Sequence, residues 1–205
     1  MTFQQEFSSW LTPANPPPSP VPTPGSAAPS TPLLSISPSR PTIITFLRHC
    51  GCPFAEKTFL QLRNIAKSNP DLDCVAVSHS DEAATQKWLE SLPKDEAGDA
   101  KGKVRVVVDD KKEAYAAWGL GVSSWAHVLD PRALASVFQL AKEGLKNRPI
   151  ESGSRWQTAG SYAVKDGKGR SKWNEHLCEP RSMLEKPLTV PVIPSPLLRS
   201  RTQLW

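Results

Sequence analysis

Two cysteines one residue apart, Cys50 and Cys52, sit within FLRHCGCPFAEKTF (46–59). The apolar, β-branched run TIITFLR (42–48) leads into them, and Pro53 follows at once. The pattern reads as a strand, a tight turn and a helix whose first residue is proline. A thiol at a helix N-terminus meets unpaired backbone N–H groups and the positive end of the helix dipole. Both favour the thiolate. Cys52, at the cap position before Pro53, is the best-placed nucleophile, and Arg48 and His49 can add positive potential. Strand-to-helix junctions are also where ligands gather in open α/β folds.

Three uses of such a pair compete: a redox centre, a metal site, or small residues filling a tight turn. Zinc takes four Cys or His ligands, normally from paired cysteines. Here only His49 adjoins the pair; His79 and His176 lie far off in sequence and no second cysteine pair exists. No metal and no cofactor are therefore expected. Cys74, inside DCVAVSH (73–79), reads as a core residue, and Cys178 is a candidate distant resolving thiol. His79 and His127 read as structural or solvated. No nucleophile elbow or glycine-rich phosphate loop is present.

The elements that must position this pair follow from composition and periodicity. Residues 1–41, rich in Pro, Ser, Thr and Ala, are expected to be disordered with polyproline-II character. Their PPPSPVP run would suit a proline-binding module. From Thr42, strand patterns at 42–48, 73–79 and 104–110 alternate with helical ones. Ala55, Phe59, Leu62 and Ala66 share one face of the helix that Pro53 opens. Ser80 or Asp81 caps the next helix, with Ala84, Trp88 and Leu92 facing inward. A short helix ends near Gly119, and a longer one starts at Asp130. Two strands then flank an Asp166–Gly167 turn. The order β-α-β-α-β-α-α-β-β implies parallel βαβ units closed by a hairpin, a three-layer α/β/α fold over 42–176. Residues 177–205 read as an extended, irregular tail.

The 205-residue chain carries a net charge of +5, with its basic residues scattered rather than gathered into a stripe. Nucleic-acid binding is not expected. Nor is a membrane span, since no apolar run approaches ~18 residues. The first ten residues lack the basic and apolar regions of a secretory signal. With four cysteines the chain is no disulfide scaffold, and a reducing cytoplasmic setting is expected.

ITFLRHCGCPFAEKTFLQL resembles the active-site segment of thioredoxin-like proteins of the alkyl-hydroperoxide-reductase/thiol-specific-antioxidant family, in its peroxiredoxin-like branch. Members typically read Arg-x-x-Gly-Cys-Pro-x-Cys here. AYAAWGLG resembles the family's segment before its central insertion. RWQTAGSYAVKDGKGRSKW (155–173) resembles its Gln-x-Gly-Gly strand and closing hairpin. The similarity spans roughly Thr42 to Trp173. The Cys-Gly-Cys-Pro-Phe-Ala variant resembles forms from filamentous fungi, some encoded among genes for secondary metabolism.

The resemblance implies a thioredoxin-like α/β/α sandwich with Cys52 in the attacking position. Trp156 and Gln157 would lie beside the cleft, and an external thiol, glutathione or thioredoxin, would serve as reductant. The departures are specific. The second cysteine of Cys-Pro-x-Cys falls on Ala55, Thr-x-x-Cys is absent before Cys52, and no proline stands just before 161–164. A dithiol cycle through positions 52 and 55 is impossible. Three readings remain: Cys50 resolves Cys52 through a strained bond, Cys52 works alone with an external thiol, or the fold persists as a non-catalytic accessory module.

Overall fold

A computed structural model describes residues 15–37, 39–93, 103–123, 139–145, 147–165 and, as backbone, 168–170. Strands β1 (Thr42–Phe46), β2 (Asp73–Ser78), β3 (Arg105–Val108), β4 (Gly160–Lys165) and β5 (Lys168–Arg170) form one sheet in the order β3-β2-β1-β4-β5. β1 pairs with β2 and β2 with β3 in parallel, whereas β4 runs antiparallel to both β1 and β5. The helices α1 (Pro53–Ser68) and α2 (Glu82–Ser91) make the two crossovers, and α3 (Glu113–Ala117) follows β3. The chain is thus an α/β protein with parallel units closed by a hairpin.

Strand alternation sends neighbouring residues to opposite faces of the sheet. Cys74 and Ala76 of β2 enter one core with Phe54, Phe59, Leu62 and Ala66 of α1 and Trp88 of α2. Phe59 meets Trp88 edge-on at 5.3 Å, which fixes α1 against α2. Val75 and Val77 enter a second core with Ile44, Phe46, Tyr115, Trp118 and Tyr162. Phe46 is the hub of its aromatic group, 4.9 Å from Tyr115 and 5.8 Å from both Trp118 and Tyr162.

The caps expected at α2 and after α3 are present, and Asp109 adds one that sequence reasoning did not name. Asp81 caps α2 by accepting from Ala84 N–H at 2.8 Å. Asp109, just past β3, accepts from the backbone N–H groups of Glu113, Ala114 and Tyr115. Gly119 adopts φ +76 beyond α3, the left-handed conformation suited to glycine there.

The N-terminal expectation needs correcting. Residues 15–37 are not a loose flank; they form a strap laid on the second core. Leu34 is only 3% exposed and belongs to that core, with Ala28 and Ile36 packed alongside. Ser19 N–H donates to Ala116 O at 2.8 Å, Asn15 Nδ2 to Gln157 Oε1 at 2.8 Å, and Arg105 Nη2 to Ser35 O at 2.9 Å. The PPPSPVP run rests on residues 116–121. A Cβ on Gly119 would lie 2.8 Å from Val21 Cα, and one on Gly121 would lie 3.2 Å from Pro18 Cγ. Composition misleads here because proline-rich chain surrenders little backbone freedom on docking, so a few contacts hold it.

Several expectations fall outside the described residues: most of the Lys94–Lys103 loop, the Trp125–His127 region, the Asp166–Gly167 turn and everything after 170, Cys178 included. The helix expected from Asp130 is described only as its last turn, 139–142, where Leu140 is fully buried.

If the strap is integral, Leu34→Ala should lower unfolding free energy by about 2–5 kcal/mol and speed proteolysis within 15–37. Urea denaturation tests this; a change below about 0.5 kcal/mol would place the strap outside the folded unit.

Candidate functional site

The cysteine turn sits at the carboxyl end of β1, beside the parallel end of β2. Cys52 N–H donates to His49 O at 3.1 Å, closing the turn, and Gly51 takes φ +112. Cys52 is the N-cap of α1 at φ −75, ψ 126; its side chain makes no capping bond, and its carbonyl accepts from Glu56 N–H at 3.1 Å. Pro53 opens the helix, as the sequence predicts.

Gly51 could not be another residue without rearrangement. An added Cβ would meet Arg148 O at 3.0 Å and Pro149 O at 3.1 Å. Arg148 N–H also donates to Gly51 O at 2.9 Å. The Arg148 side chain pairs with Glu56 of α1 at 3.0 Å and bonds Ser91 Oγ of α2. One arginine thereby ties the turn to both crossover helices.

Cys50, Cys52 and Cys74 are all reduced and buried. Cys50 is 7% exposed and Cys52 5%. Burial, followed by the neighbouring Asp73 charge, pushes the Cys74 thiol up to about 11, as befits a core residue.

Cys50 occupies a pocket of hydroxyls that sequence reasoning missed. Its Sγ lies 3.5 Å from Ser78 Oγ and 3.8 Å from Thr85 Oγ1, and its N–H donates to Ser80 Oγ at 3.2 Å. Ser78 and Thr85 are 2.9 Å apart. The available signal was SHSDEAAT (78–85), three hydroxyl residues at the neighbouring strand-to-helix junction.

The segment 148–157 closes over this pocket. Ser80 Oγ donates to Ser152 O at 3.1 Å, and Asp81 N–H to Ser152 Oγ at 2.9 Å. His79 Nε2 accepts from Ser154 N–H at 3.2 Å, while its Nδ1 lies 3.4 Å from the Tyr115 hydroxyl. That hydroxyl is 2.7 Å from Leu47 O and 2.8 Å from Val77 O, at the ends of β1 and β2.

The other sequence candidates divide. Arg48 donates from Nη2 to Arg155 O at 3.1 Å and lines a small cleft with Phe46, Phe54, Ala55, Thr58 and Gly160. His49 is buried, and its imidazole is held well below its usual range, chiefly by desolvation and then by Arg48. It supplies no charge to the thiols at neutral pH. Trp156 and Gln157 are buried. Gln157 Nε2 faces Leu120 O at 3.3 Å and Gly121 O at 3.2 Å, so its amide serves the packing of 120–121.

Comparison with protein-family models, curated proteins and solved structures found no match. Among the described residues, no group of three or more His, Cys, Asp or Glu could hold a metal ion, and no helix is long and apolar enough to cross a membrane.

Burial lowers the His79 imidazole to about 4, against about 6.5 when exposed. Between those values the unfolded chain binds a proton that the folded chain refuses. Stability is therefore full above pH ~6.5 and falls as pH drops toward ~4, by on the order of 3 kcal/mol from this residue. His49 acts with the same sign. Urea midpoints measured across this range should show the slope, and His79→Gln should flatten it.

Proposed function

We propose that this protein is a thiol-dependent redox protein of thioredoxin-like, peroxiredoxin-like type, reducing hydroperoxides or exchanging disulfides with Cys52 as nucleophile and Cys50 as its partner. The observation that carries the reading is the reduced pair at the β1–α1 junction. Cys52 caps α1, and Cys50 is held by hydroxyls one residue away. The helix N-terminus steadies negative charge that develops at Cys52 during reaction. A neighbouring thiol can capture the sulfenic acid that follows before further oxidation.

A small cleft lies beside the turn, lined by Arg48 and Ala55 but by neither cysteine. Its floor is apolar around Phe46, Phe54 and Ala55, with the cationic Arg48 among its lining residues. Ala55, buried in the first core, stands where a Cys-Pro-x-Cys protein carries its second thiol, so a resolving thiol must be Cys50 or external. Glutathione or thioredoxin would serve as the external thiol in a reducing cytoplasm, and no cofactor is required. The resemblance of the cysteine segment to fungal forms supports an antioxidant or biosynthetic-pathway role within this proposal.

The burial of both sulfurs favours a second reading, a non-catalytic thioredoxin-fold accessory protein, in which the cysteines pack rather than react.

The readings separate on one experiment. The reduced protein, Cys52→Ser and Cys50→Ser are exposed to mild hydroperoxide, with peroxide consumption followed and the products mapped by mass spectrometry. Redox function gives consumption that falls at least about 100-fold in Cys52→Ser, with a Cys50–Cys52 disulfide in the parent and a sulfenic or mixed-disulfide Cys52 in Cys50→Ser. Equal, negligible consumption in all three proteins supports the accessory reading.

A further inference from the structure

The hydrogen bonds around Cys50 leave one proton with a choice. Thr85 Oγ1–H is committed to Ser80 O at 3.2 Å, and Ser80 Oγ–H to Ser152 O at 3.1 Å. Ser78 Oγ accepts from Ser80 N–H at 3.3 Å. The proton of Ser78 then has two acceptors within reach, Thr85 Oγ1 at 2.9 Å and Cys50 Sγ at 3.5 Å.

The groups are satisfied differently in the two protonation states of Cys50. With Cys50 as a thiol, its S–H points to Thr85 Oγ1, 3.8 Å away, and Ser78 O–H also turns to Thr85. The S–H can also donate to Ser78 Oγ at 3.5 Å. With Cys50 as a thiolate, Ser78 O–H rotates onto the sulfur. Loss of the thiol proton to solvent, with a single rotation of the Ser78 hydroxyl, converts the first into the second. Of the cations near the turn, Arg48 donates to Arg155 O and Arg148 pairs with Glu56. Tyr115 is held protonated and His49 and His79 neutral by burial.

We infer that Ser78 is a hydroxyl switch that steadies Cys50 as a thiolate, fitting Cys50 to be the sulfur that leaves and returns in exchange with Cys52. Ser78 acts through Cys50 and is a positioning residue; its part in exchange rests on the redox reading above. In that cycle the Cys52 thiolate attacks the terminal oxygen of a hydroperoxide. The O–O bond breaks, and the leaving alkoxide or hydroxide takes a proton. The Cys50 thiolate then attacks the Cys52 sulfenic sulfur; the S–O bond breaks, hydroxide leaves as water with a proton from solvent, and the disulfide forms. An external thiolate next attacks Cys52 Sγ, the S–S bond breaks, and its electron pair returns to Cys50, where Ser78 O–H receives it. A second external thiolate releases Cys52 and leaves as the external disulfide.

The test is the rate of Cys50 alkylation by iodoacetamide in the reduced full-length chain, followed across pH by peptide mass spectrometry. Ser78→Ala should slow alkylation near neutral pH about tenfold and displace its profile to higher pH, the value of one hydrogen bond to a charged group. Ser78→Thr should restore the rate. Thr85→Val should raise it, because the Ser78 proton is left with the sulfur as its acceptor. An unmoved profile in Ser78→Ala, or a slowing shared by Thr85→Val, overturns the switch. Hydroperoxide consumption is measured on the same samples. Opposite responses of the two variants without consumption would keep the switch and remove the redox reading. Consumption with unchanged Cys50 profiles would do the reverse.

Discussion

The bond from Arg148 N–H to Gly51 O holds the cysteine turn in a backbone shape that glycine alone adopts easily. Much of the site's geometry depends on it. The same arginine neutralises Glu56, a carboxylate buried in the first turn of α1 that would be costly without a cation. The chain beyond Arg148 then supplies Ser152 to Ser80 and Ser154 to His79. A segment remote in sequence from both cysteines thus sets the position of the helix cap, the hydroxyl pocket and the buried imidazole together.

Within that frame the two sulfurs sit in different surroundings. Cys52 belongs to the helix: its backbone starts α1, and the field of the first turn acts on it. Cys50 belongs to the neighbouring junction, where Ser78, Ser80 and Thr85 give its polar atoms partners inside the protein. The histidines do not share the work electrostatically. Burial keeps both imidazoles neutral, and His79 serves instead to join Ser154 to the Tyr115 hydroxyl at the strand ends. Positive charge near the turn comes from arginines, whose guanidinium groups do not lose their proton in proteins.

What the sequence discloses depends on how local the cause is. The start of α1 was legible because Pro53 fixes a backbone angle and Ala55, Phe59, Leu62 and Ala66 repeat at helical spacing. β1 and β2 were legible from β-branched runs bounded by turns, and Asp81 from its place before an apolar face. The hydroxyl pocket was not legible, since it needs the parallel register of β1 and β2 to bring Thr85 to a cysteine 35 residues earlier. Arg148 gave no signal either: a lone arginine before a proline looks like any loop residue until its partners are in place. The strap failed for another reason. Low apolar content argues against a self-sufficient core, but Leu34 and Ile36 need only borrow one already built.

That borrowing has a consequence for synthesis. Ser19 is held by Ala116 and Asn15 by Gln157, while Pro18 and Val21 lie against Gly121 and Gly119. A ribosome makes the strap about a hundred residues or more before these partners. At about 5–20 residues per second, the strap waits many seconds with nothing to bind. Its prolines are well suited to the interval, because they offer few backbone donors to mispair while the sheet is assembled. A segment translated well before its partners is thus among the last to find its place.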